Sequence, residues 1–150
     1  MKRCIPAIFV ALLMIVTACS DRGMVDVESS FGFQETGDRL EEVLEENGMT
    51  LFERVKHSEA AEDVGIELRE TELFIFGNPR AGSPLMKCQQ SVAIDLPQKA
   101  LIWKDSEGGT WISYNHPGYL QKRHSISNCE DTLFNIGESL ASIINAAASD

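Results

Sequence analysis

What this chain lacks narrows its role. It has no apolar run of about 20 residues, the length that crosses a bilayer as a helix. The longest, Ile5 to Val16, stops well short and contains Pro6. There is no excess of basic charge: Lys and Arg number 13 against 23 Asp and Glu, a formal net charge of −10 at pH 7. Nucleic acid and anionic lipid surfaces call for clustered Lys and Arg, so neither is an expected docking partner. The short signatures of common catalysts are missing too. No GxSxG elbow, Walker-type Gly-Lys loop, HxxxH or HExxH pair, CxxC or recognisable Cys-His motif occurs. That leaves nucleophilic, phosphate-cradling, zinc and dithiol chemistry without a local motif. Internal repeats and low-complexity tracts are also absent, so residues 25–150 read as one domain.

What is present begins at the N-terminus. Met1-Lys2-Arg3 is a short basic start, Ile5 to Val16 a hydrophobic stretch, and Val16-Thr17-Ala18-Cys19 a zone of small residues closing on cysteine. This is the layout of a secretory signal. Its closing pattern resembles the bacterial lipobox, which implies cleavage after residue 18 and lipidation of Cys19. Ser20, rather than Asp, follows the cysteine; by resemblance to Gram-negative sorting rules, the expected location is the outer membrane, with the domain facing the periplasm. Losing Lys2 and Arg3 leaves 11 basic against 23 acidic side chains, a mature charge near −12. Residues 19–24 form a minimal tether, so the expected membrane contact is the lipid anchor itself.

Cys4 leaves with the signal and Cys19 carries lipid, so Cys88 and Cys129 remain. In an oxidising compartment they are candidates for a disulfide. Two buried free thiols, or a thiol redox or soft-metal pair, are the alternatives.

Along the domain, Val25, Val27 and Ser29 alternate with polar residues as in a half-buried strand. Thr36 or Asp38 is expected to start a helix carrying the stripe Leu40, Val43, Leu44, closed by Gly48. Leu51 to Lys56 reads as a strand, and Ser58 as the cap of a short turn ending at Gly65. The apolar run Leu73 to Phe76 suggests a central strand covered on both faces. Ser83-Pro84 reads as a helix start. Ala100 to Lys104 and Thr110 to Tyr114 flank Asp105-Ser106-Glu107-Gly108-Gly109 as an antiparallel hairpin. His116-Pro117 opens a short helix through Arg123, and Leu133, Ile136, Leu140, Ile143, Ile144 and Ala147 define a long amphipathic C-terminal helix. The fold expected is a two-layer α+β domain: a mostly antiparallel sheet with helices on one face.

Three segments carry a resemblance: LFIFGNPRAGSPLM (Leu73–Met86), AIDLPQKALIWKD (Ala93–Asp105) and WISYNHPGYLQKRH (Trp111–His124), with His57 ahead of Ser58 and Ala60. Their order and spacing resemble the bacterial and archaeal family known as domain of unknown function 302, across nearly the whole of residues 25–150. The resemblance implies a compact α+β domain that associates as a homodimer, and it implies no reaction.

The candidate ligand-binding or catalytic residues are His57, Asn78, Asp95, Tyr114 and His124. Asn78-Pro79 follows a buried strand, where loops collect sites, and is equally ordinary turn chemistry. Asp95 is a carboxylate in an apolar stretch, a turn cap unless it faces a histidine. Tyr114 would usually pack its ring in a core. No metal ligand set and no cofactor can be named from the sequence. The leading expectation is a non-catalytic lipoprotein domain that binds a small ligand or protein partner. The alternatives are a metal- or cofactor-assisted enzyme built on His57, Asp95, Tyr114 and His124, and a thiol redox protein.

Overall fold

The computed structural model describes residues 23–150; the signal stretch and Cys19 lie outside the described residues. The chain runs β1 (Met24–Ser29), α1 (Phe33–Glu46), β2 (Thr50–Lys56), α2 (His57–Glu62), β3 (Thr71–Gly77), α3 (Pro79–Cys88), a 3-10 turn (Gln90–Ile94), β4 (Gln98–Lys104), β5 (Thr110–Asn115), α4 (Pro117–His124) and α5 (Glu130–Ala148). The five strands make one antiparallel sheet in the order β1-β5-β4-β3-β2. This is the α+β architecture that the sequence pattern implies.

Strand alternation sorts the side chains into two faces. One row across the sheet is Val25, Tyr114, Ala100, Phe74 and Arg54; the next is Val27, Ile112, Ile102 and Glu72. This face meets α1 and α5. Leu40, Leu44, Phe74, Phe76, Leu85, Ile102, Ile112 and Ile144 are fully buried there, each contributing about 1.5–3 kcal/mol of apolar burial. A buried ion pair interrupts it. Glu72 accepts from Arg54 Nε and Nη2 at 2.8 and 3.0 Å, and Arg54 also reaches Glu41 at 2.8 Å.

The continuous apolar run of β3 does not mean burial on both sides. Its residues alternate between buried and half-exposed, because Leu73 and Ile75 stand on the opposite, open face. There they join Val55, Leu101, Trp103 and Trp111, whose indoles stack with centroids 6.3 Å apart. Several helix starts also differ from expectation. Thr36 lies inside α1, where its hydroxyl bonds Ser29 Oγ at 2.7 Å and Gly32 O at 2.9 Å. Ser58 accepts from Thr71 N rather than capping α2. α3 starts five residues before Pro84, at Pro79.

The register places Met24, Asn115, Gln98, Gly77 and Thr50 at one end of the sheet. Ser29, Thr110, Lys104, Thr71 and Lys56 lie at the other, with the β4–β5 turn. Asp105 organises that turn: its carboxylate accepts from Glu107 N, Gly109 N and Trp111 Nε1, at 2.9, 2.9 and 2.8 Å. These bonds hold its carboxyl below the ordinary range, the indole first among them.

Candidate functional site

At the end of the sheet away from that turn, the chain between β3 and β4 leaves the sheet as α3, then as the 3-10 turn, before returning at Gln98. Asn78 starts this excursion. Its Oδ1 accepts from Arg80 N at 2.9 Å, an N-cap that leads straight into Pro79, and its Nδ2 donates to Gly48 O at 3.1 Å. Pro at the first helical position loses no needed N–H. The Asn78-Pro79 pair therefore starts the helix and fastens it to the α1–β2 turn.

α3 stands off the sheet end and faces the N-terminal half of α5, leaving a pocket of about 520 Å³, within the range of small-molecule sites. Its walls are mainly apolar: Met49, Phe52, Phe76, Met86, Leu96 and Leu140 are among them. Among the described residues, Arg80 is the one charged residue lining it; it is exposed and makes no ion pair. Gln98 also lines the pocket, and its Nε2 is buried with no hydrogen-bond acceptor. That nitrogen is enclosed by protein and has essentially no surface open to the cavity.

On the connector between α3 and β4, Asp95 and His124 meet. His124 Nε2 lies 2.6 Å from Asp95 Oδ2, and Ser91 Oγ lies 3.0 Å from His124 Nδ1. A carboxylate only accepts, so Nε2 carries a proton; in the neutral ring, Nδ1 then accepts from the Ser91 hydroxyl. The side chains of His124 and Asp95 are 7% and 14% exposed, so the pair is largely shielded. Arg123 Nε approaches the same Asp95 oxygen at 3.3 Å, and Gln89 Nε2 donates to His124 O at 3.1 Å. Beside this cluster, the structure bonds Cys88, the last residue of α3, to Cys129, the N-cap of α5, with Cα atoms 6.6 Å apart, within the range a bridge spans.

The remaining candidates separate. His57 opens α2 directly after Lys56, at the end of the sheet that carries the β4–β5 turn, opposite Asn78. Tyr114 is buried in the row between Val25 and Ala100, and burial pushes its phenol above the ordinary value. The four-residue His57, Asp95, Tyr114 and His124 cluster therefore does not assemble; only Asp95 and His124 touch. The physical reason is strand direction, since β2 carries His57 away from the end where β4 begins. Among the described residues, no group of three His, Cys, Asp or Glu is arranged to hold a metal. Sequence reading missed Ser91, Arg80 and Gln98. Ser91 and Gln98 become distinctive only through partners far along the chain, whereas Arg80, a cation just past a helix cap, was a visible signal.

Comparison with known proteins places this geometry in a family. The family model described as "Domain of unknown function DUF302" matches residues 25–147. A crystal structure of an uncharacterized conserved DUF302 protein from Bacillus stearothermophilus aligns with a TM-score of 0.77 at 21% identity. It covers 84% of this chain and 98% of that one, and so shows a shared fold. Among curated proteins, the chain is 40% identical over 111 residues to fluoride-specific ion channel FluC 1 of Brucella suis biovar 1, and likewise to FluC 1 of Brucella abortus biovar 1. Those matches cover 74% of this chain but only 44% and 41% of the relatives, so the chain spans less than half their length. The chain belongs to the DUF302 family.

Proposed function

We propose that this DUF302 domain is a membrane-tethered binding module, held through lipidated Cys19 at the periplasmic face of the outer membrane, with the pocket between α3 and α5 as its ligand site. One observation carries the reading: a mainly apolar pocket of about 520 Å³ whose one charged lining residue, among those described, is the exposed Arg80. Pockets of this kind bind small molecules by apolar contact and orient them with a few polar groups. The lipobox-like Val16–Cys19 supports the tether. So does the fact that a segment similar to this domain forms part of chains named as ion channels, which also work at a membrane.

The test is native mass spectrometry of the full chain carrying Cys19→Ser, purified from the periplasm. A small molecule near one per chain, lost when Ser139→Trp fills the pocket, is the expected result. Bare masses for both proteins, and equal indifference to an apolar reporter dye, refute the pocket as a ligand site. Mass spectrometry of the native chain tests the tether: a mature protein beginning at acylated Cys19 is expected.

The same reading includes a homodimer. The open sheet face, with Leu73, Ile75, Leu101 and the Trp103–Trp111 stack half-exposed, is the kind of surface that packs sheet against sheet. Light scattering is expected to give a dimer that Leu101→Lys converts to a monomer. A monomeric starting protein refutes the pairing.

A second reading rests on the chain Ser91–His124–Asp95, a hydroxyl on an imidazole on a carboxylate, the order used to activate a serine. Here Nδ1 rather than Nε2 faces the hydroxyl, Arg123 shares the carboxylate, and Ser91 does not line the pocket. Labelling of Ser91 by a fluorophosphonate, dependent on His124, would support hydrolysis. Absence of label retires it.

A further inference from the structure

We infer that the pocket end of the domain faces the bilayer and that the pocket takes a single-chain anionic amphiphile, a long-chain carboxylate, from it. The inference rests on the pocket and tether reading proposed above and adds the orientation and the chemical class of the ligand.

The orientation follows from where the chain enters the domain. Gly23 is pinned: its carbonyl accepts from His116 N at 2.9 Å, its φ is +70°, and a Cβ there would stand 2.8 Å from Tyr119. β1 therefore starts at the same end of the sheet as Gln98 and Gly77, the end that carries the pocket. Cys19 to Gly23 is four residue steps, which reach at most ~14 Å when fully extended. Running back along the six residues of β1 takes about 20 Å. A lipid on Cys19 therefore cannot hold the opposite end of the sheet against the membrane.

The exposed apolar side chains agree. Met24, Phe52, Ile94 and Phe134 are 40, 52, 74 and 66% exposed. Met24 begins β1; Phe52, Ile94 and Phe134 sit on or beside the segments that wall the pocket. Val64, Ile66 and Leu68 are also exposed, but they belong to the connector after α2 at the other end, beyond the tether's reach. A net acidic domain has no electrostatic pull toward anionic lipid; the anchor and these apolar contacts are what bring it there.

The ligand class follows from the lining. An apolar chain removes pocket surface from water at roughly 0.8 kcal/mol per methylene. In a chain of net charge −10, the one charged residue lining the pocket, among those described, is a cation, the exposed Arg80, which makes no ion pair with the others. A carboxylate accepts from a guanidinium and offers no proton that would need a partner. An apolar body with an anionic, acceptor-only head is what this lining selects.

The test uses the full chain. In the Cys19→Ser protein, displacement of a fluorescent polyene fatty acid by oleate is expected at one per chain. Arg80→Ala is expected to weaken oleate about fivefold, the most that a partly solvated pair contributes, and to leave oleyl alcohol unchanged. Ser139→Trp and Ala81→Trp, each checked for an unaltered melting temperature, abolish both. If oleyl alcohol binds as tightly as oleate and ignores Arg80→Ala, the anionic class is overturned while pocket binding stands. If no amphiphile binds, the pocket reading falls with it. Orientation is read with the native lipoprotein in phosphatidylcholine vesicles bearing brominated acyl chains. Tryptophan at Ile94→Trp is expected to be quenched, while Ile66→Trp and the native Trp103 and Trp111 are not. The reverse pattern overturns the orientation.

Discussion

Replacing both Cys88 and Cys129 by serine is expected to destabilise the domain by about 4 kcal/mol. The bridge closes a loop with a sequence separation of 41, and the chain-entropy relation for that length gives ~4 kcal/mol of lost unfolded-state freedom. Packing adds little to this loss, since Cys88 is exposed and serine is nearly the size of cysteine at Cys129, which is 9% exposed. At roughly 4 °C per kcal/mol for a domain of this size, the melting temperature should fall by about 15 °C. The assay is thermal and urea unfolding of wild type and double variant, each with and without dithiothreitol. Wild type in reductant should match the variant, and the variant should ignore reductant. A wild type insensitive to reductant, or a loss under about 1 kcal/mol, refutes the reasoning. It would mean that the thiols are free or that the ends are already held together when the chain unfolds.

Other expectations follow from single residues. Glu72→Gln strips the buried partner from Arg54, which is left with Glu41 alone; a loss of about 2–3 kcal/mol in urea unfolding is expected, below the usual figure for a buried pair because Arg54 is partly solvated. Asp105 titrates lower in the folded hairpin than in the unfolded chain. Its contribution is therefore fully present above the unfolded value near 3.8 and is lost as pH falls through the lowered folded value. Trp111 emission should change in that acid window, and Asp105→Asn should remove the transition. Gly23→Ala puts a side chain onto Tyr119 at positive φ and should cost about 1–2 kcal/mol by thermal unfolding.

Much of the fold was legible because its signals are local. The Asp105–Gly109 turn lies between two alternating runs, and the α5 stripe from Leu133 to Ala147 repeats at helical spacing over about four turns. The errors share a cause: a residue's type was taken for its partner. Leu73 to Phe76 is apolar throughout, yet Leu73 and Ile75 face outward, because an apolar run says what can be buried and not what covers it. Ser83-Pro84 has the chemistry of a helix start, but Asn78-Pro79 has it earlier and Asn78 finds Gly48 O as well. Asp95 and His124 were legible as a possible pair from their types. Their meeting, and the addition of Ser91, depend on α4 and the 3-10 turn being brought together by β4 and β5, a tertiary event without local trace.

The family-like residues acquire a common purpose once the connector from Asn78 to Pro97 is seen as one wall of the pocket. That connector carries α3 and the 3-10 turn and must be tied down to hold its shape. Each tie falls on a residue singled out from sequence. Asn78 fixes the entry to the α1–β2 turn, Cys88 fixes the end of α3 to α5, and Asp95 with Ser91 fixes the return to His124 on α4. Lys99 closes the exit through Asp95 O and Pro97 O at 3.0 Å each. Three of the five candidate site residues are thus fasteners of that wall. Arg80, which lines the cavity, makes no ion pair among the described residues. The acid–base pair of the candidate set, Asp95 and His124, goes into holding the connector in shape, while Arg80 stands exposed beside the cavity that the connector walls.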